Sequence, residues 1–158
     1  MPICVSNSIQ RAVFFGLCGG LLTVGCSGDD KAKPLPDLRP AVEVTKAERA
    51  IIGEVMRRNL VAINQISQAA GQGDIRSVAL LAQQASKAPG PGALDRQLRE
   101  KLPAGWRELG KGVDEGFRQI SQAAQMGGSP LLINQGMASV TQACVACHTS
   151  YRIEVGSK

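Results

Sequence analysis

Residues 144–148 read Cys-Val-Ala-Cys-His, and three of the five carry chemistry. Two thiols three residues apart, followed at once by an imidazole, form the pattern by which a c-type haem is attached. Each thiol can add across a vinyl group of one porphyrin to give a thioether, and the imidazole can serve the iron as axial ligand. On a helix, positions 144, 147 and 148 stand at i, i+3 and i+4, so the three side chains share one face. His148 is also the only histidine in the chain. The spacing therefore predicts one covalent haem c, with Cys144 and Cys147 as its links and His148 as the proximal iron ligand.

Other uses of a Cys-x-x-Cys pair fit the surroundings less well. A thioredoxin-like dithiol asks for a preceding strand and a βαβ setting, and neither is visible. A structural zinc site asks for two further ligands, and no second Cys or His pair follows the export segment. A disulfide across so short a helical loop gains little. The rival that stays open is a non-haem helical binding lipoprotein with a structural Cys144–Cys147 bridge.

The elements that must hold this motif are helical by pattern. Aromatic residues make up 3% of the 158, while Ala, Gln, Leu, Ile and Val abound, which favours a helical bundle over a β-sandwich. A first helix is predicted over 42–70, with Ile52, Val55, Ala62, Ile66 and Ala69 on one stripe and Met56, Leu60 and Ile63 beside it. Gly71-Gln72-Gly73 breaks it, and Asp74 can cap a second helix over 75–87. Pro89-Gly90-Pro91-Gly92 stops that helix, and 93–102 can form a short surface helix. A third helix is predicted over 105–125, and Pro130 suits the first position of a fourth that runs to 153. Along this last helix Ile133, Met137, Val140, Cys144, Cys147 and Tyr151 step alternately by four and three, a heptad seam that turns both cysteines toward the interior. Gln-Ile-Ser-Gln-Ala-Ala occurs at 65–70 and again at 119–124, each time closing a helix before a glycine-rich turn. Two helical hairpins follow from this, and hence an all-α, antiparallel, up-down-up-down four-helix bundle over 41–158 with the haem on its C-terminal helix.

The N-terminal part reads as targeting. Arg11 is the sole charge before Asp29, and an apolar run from Ala12 to Gly25 is too short to span a bilayer. The run ends Leu21-Leu22-Thr23-Val24-Gly25-Cys26, similar to a bacterial lipobox, although Thr23 stands where an aliphatic residue is usual. Residues 1–25 are thus expected to be a lipoprotein-type signal peptide, Cys26 the lipidated residue and 26–40, with three prolines, a flexible tether. The location implied is the periplasm, on the outer membrane, held by a lipid anchor alone. Removal of 1–25 takes Arg11 with it and leaves 17 cations against 13 anions. That mild excess, without clustered Lys/Arg among aromatics, excludes a nucleic-acid footprint. No acid, base or nucleophile constellation points to an enzyme.

The run Cys144-Val145-Ala146-Cys147-His148-Thr149-Ser150-Tyr151-Arg152 is similar to the C-x-A-C-H-x-x-Y-R run of the class II c-type cytochromes, the family of cytochrome c′ and the low-spin cytochromes c-556. The resemblance covers about residues 41–155 and is specific at this run, pattern-level elsewhere. It implies that Arg152 lies one turn past His148 beside the proximal face, and that Arg49 pairs with a haem propionate. A plain solvated charge fits Arg49 equally well, and Arg57 and Arg58 read as a solvated face. The family's distal residue, counted one turn from Arg49, falls on Gly53, with Ile52 one residue away and Met56 a turn further on. Two distal readings follow. Met56 ligates the iron, giving a six-coordinate electron carrier, or Met56 is packing and Gly53 or Ile52 lines an open pocket for NO or CO. The spacing from Arg49 favours the second. The partners implied are redox proteins of the periplasm, with a homodimer through the first two helices as the family's usual assembly.

Overall fold

The computed structural model describes residues 36–87 and 96–156. The predicted signal peptide, Cys26, the tether up to Leu35 and the Pro89–Gly92 break lie outside the described residues. Every element below belongs to the compact unit that starts at Asp37. In order these are β1 (Ala41–Val44), α1 (Lys46–Gly71), α2 (Ile75–Lys87), α3 (Arg96–Lys101), α4 (Ala104–Gln125), α5 (Pro130–Ser150) and β2 (Arg152–Val155). The unit is mostly helical. Among the described residues no helix is long and apolar enough to cross a membrane.

The helix boundaries follow from local chemistry. Thr45 caps α1 by accepting from the Glu48 amide, while the Glu48 carboxylate accepts from the Thr45 amide, so two otherwise unpaired donors are satisfied together. Asp74 accepts from the Ser77 amide and hydroxyl at the start of α2. Pro130 opens α5, as its position predicts. The α4–α5 turn needs Gly128 for two reasons. Its φ is +69°, and a Cβ there would stand 2.5 Å from the Ile75 side chain.

Two expectations from the sequence are corrected at the ends of the fold. Residues 42–44 and 152–153, expected as helix, belong instead to a parallel strand pair over 41–44 and 152–155, with Ala41 opposite Arg152 and Val44 opposite Val155. Val42 and Val44 are buried and their neighbours exposed, the alternation of a strand. Four residues are too few for that period to show against a helix that starts two residues later. The second correction concerns α3, expected at the surface. Leu98 and Leu102 are each 1% exposed, and Lys101 pairs with Glu48 at 2.6 Å, fastening α3 to the start of α1.

The core falls into two clusters. One gathers Ile66, Val78, Phe117, Ile120, Ile133 and Val140 between α1, α2, α4 and α5. The other gathers Val42, Val44, Ile52, Val55, Leu98, Leu102 and Trp106 around the strand pair. The repeated hexapeptide supplies Ile66 with Ala69 and Ile120 with Ala123 to the first cluster, all of them buried. Its recurrence therefore reflects equivalent core positions rather than shared solvent-facing composition. α4 packs closely on both α2 and α5, and α1 packs on α2.

Candidate functional site

Cys144 and Cys147 stand where the two core clusters meet. Cys144 packs against the first cluster and Cys147, with Met56 and Tyr151, against the second. Between the clusters a cleft of about 460 Å³ opens, walled by α1, α4 and α5. α1 contributes Met56, Leu60 and Ile63, α4 contributes Trp106, Leu109 and Val113, and α5 contributes Cys144, Cys147 and His148. The heptad seam of α5 thus carries its thiols into an apolar slot, and the imidazole beside them is exposed at its margin. The volume is in the range of small-molecule and cofactor sites.

Both cysteines are free thiols and each is half-buried. Burial pushes both up from the ordinary thiol value, and Cys147 is raised further by its neighbour Cys144. They lie near the C-terminal end of α5, where the helix dipole opposes a thiolate. Reactive dithiols occur in the opposite setting, at helix N-termini or beside cations. Among the described residues no three His, Cys, Asp or Glu side chains gather to hold a metal ion. Cys144 and Cys147 stand as half-buried thiols against an apolar slot.

The structure brings Met56, Cys144, Cys147 and His148 to one cleft. It sets Arg49 and Gly53 elsewhere, in a neighbouring groove shared with Lys46, Ile153 and Val155. Met56 and Arg57 border both spaces. Ile52 is 2% exposed and belongs to the second core cluster. Arg152 lies on β2, not on a continued helix. Its Nε donates to the Arg39 carbonyl at 2.9 Å, and its Nη1 pairs with Glu154. The physical reason is the strand pairing, which draws the chain out of the helix at Tyr151 (φ −135°, ψ 151°).

Arg57 is exposed, as its reading as part of a solvated face expected, and it also borders the cleft, held by Glu54 at 2.7 Å. One residue near the motif escaped the sequence reading. Arg39 donates to the His148 carbonyl at 2.5 Å across 109 residues of sequence, and no local pattern announces such a contact. Tyr151 packs on Trp106 with ring centroids 5.6 Å apart, and a Cβ on Gly105 would meet its hydroxyl at 2.6 Å. No family model matches the chain, and neither the curated proteins nor the solved structures yield a significant match.

Proposed function

We propose that this chain is an exported monohaem cytochrome of the class II c type. In this reading α1, α2, α4 and α5 form an antiparallel four-helix bundle, and one haem c occupies the α1/α4/α5 cleft. A single observation carries it: a Cys-x-x-Cys-His motif opens into an apolar slot that a methionine lines from another helix. Cys144 and Cys147 would hold the ring through thioethers, and His148 would offer its imidazole nitrogen to the iron. When bound, the haem supplies a one-electron couple whose potential is set by axial ligand, burial and charge. The apolar walls exclude water, and Arg57 at the rim offers a cation for a propionate. Arg49 faces the adjoining groove, so its pairing with a propionate is the less direct of the two.

The reading assigns one-electron transfer with periplasmic redox proteins, or reversible NO or CO binding if the distal side is open. No substrate turnover is assigned. A lipid on Cys26 would hold the protein at the outer membrane, and a homodimer is the assembly to look for.

The test is to purify the full chain from cells competent in c-type maturation. A coloured protein whose pigment stays with the polypeptide in acid-acetone supports the reading, and Cys144→Ser with Cys147→Ser must abolish retention. A colourless wild type overturns it in favour of the non-haem lipoprotein. A low-spin ferric spectrum lost in Met56→Ala assigns Met56 as ligand. A high-spin spectrum unchanged by that substitution assigns an open distal side.

A further inference from the structure

Arg39 meets the motif helix at the carbonyl of His148. In a continued helix that carbonyl would accept from the amide of Arg152. The chain leaves the helix at Tyr151, and the Arg152 amide donates instead to the Pro40 carbonyl at 3.1 Å. The vacated acceptor is filled from outside, because Arg39 Nη1 donates to the His148 carbonyl at 2.5 Å and to the Tyr151 carbonyl at 3.2 Å. The guanidinium is itself held on its other edge. Its Nε donates to Asp37 Oδ1 at 2.9 Å and its Nη2 to Asp37 Oδ2 at 2.5 Å. Arg152 closes the exchange by donating from Nε to the Arg39 carbonyl at 2.9 Å. Each segment therefore caps the other, and the peptide carrying His148 is fixed from beyond its own helix. A planar fork with donors on two edges makes both sets of contacts at once, whereas lysine could keep only part of them.

We propose that Arg39 is a positioning residue for His148: the Asp37–Arg39 clamp fixes the His148 peptide and so aims the imidazole into the cleft. The meaning at the imidazole rests on the haem reading, whereas the clamp itself does not. Residues 37–40 thereby belong to the site rather than to a free tether.

The experiment uses the full chain from maturation-competent cells, as wild type, Arg39→Ala, Arg39→Lys and the milder Asp37→Asn. Hydrogen exchange is followed in peptides covering 148–156, and the midpoint potential and ferric spectrum are recorded. In Arg39→Ala those peptides are expected to exchange about tenfold faster while α2 is unaffected. The potential is expected to rise, by about 59 mV for each tenfold loss of His148 affinity for ferric over ferrous iron. Arg39→Lys is expected to recover part of both effects, and Asp37→Asn to give smaller changes of the same sign. Unchanged exchange at 148–156 in Arg39→Ala overturns the clamp. Faster exchange with wild-type potential and spectrum overturns the positioning role. A colourless wild type overturns the haem reading and with it the positioning role, and the exchange measurement still decides the clamp.

Discussion

Replacing Gly136 by alanine puts a methyl where α4 already stands. A Cβ at Gly136 would lie 2.5 Å from Ile120 Cγ1, 3.1 Å from the Ile120 nitrogen and 3.3 Å from the Gly116 carbonyl oxygen. Ile120 is fully buried and cannot swing aside, and the other two atoms are backbone. The helices must therefore separate. Overpacking of this kind costs about 1–3 kcal/mol, and with backbone in the way the upper end applies. Alanine's better helix propensity offsets about 1 kcal/mol. The net expectation is a loss of about 2 kcal/mol, or about 8 °C in Tm for a unit of this size. Urea and thermal unfolding followed by circular dichroism measure it. Gly71→Ala is the control, since a Cβ there meets nothing within 4 Å, and its stability should be unchanged or slightly raised. Gly116 reciprocates, its Cβ meeting Val140 at 2.6 Å and the Gly136 carbonyl oxygen at 3.3 Å. The double alanine variant should thus lose less than the sum of the singles, because one separation serves both. A Gly136→Ala protein as stable as Gly71→Ala would refute the close α4–α5 approach that seats the motif helix.

Two further outcomes follow from the second core cluster and the clamp. Leu98→Ala should destabilise the protein by about 2–5 kcal/mol in urea unfolding, as for other buried leucines; a loss under about 0.5 kcal/mol would return α3 to the surface. Asp37 is held down to about 2 from 3.8, chiefly by its hydrogen bonds from Arg39. Its folded value lies below the unfolded one, so the clamp's contribution is present above about pH 4 and is lost as pH falls toward 2. Exchange at 148–156, corrected for intrinsic rate, should be flat from pH 7 to 4 and rise below that. The acid step should vanish in Asp37→Asn, and its persistence there would assign it to another group.

Periodicity was legible wherever an element was long. α2 runs over 75–87 as its pattern predicts, and Ile52, Val55, Ile66 and Ala69 face inward from α1. The seam on α5 also translates directly, because Ile133 and Val140 are buried and Cys144 and Cys147 follow them toward the cleft. Short elements were not legible. β1 and β2 are four residues each and gain their form from one another across more than a hundred positions. α3 has six residues, too few to display a face, yet its Leu98 and the Leu102 that follows it are among the most buried side chains.

The five residues from Cys144 to His148 carry the proposed chemistry in the sequence itself, because covalent attachment and axial ligation, as proposed, depend on residue type and local spacing. Tertiary structure decided what surrounds them. Only the packing of α1, α4 and α5 sets Met56 on the wall of the same cleft, Arg57 at its rim and Arg49 in the groove beyond. Only the pairing of β1 with β2 ends α5 at Ser150, frees the His148 carbonyl and brings Arg39 to it. Spacing along one helix is a local property fixed by 3.6 residues per turn. Which side chains meet across a cleft depends on how separate helices pack, and no local period encodes that.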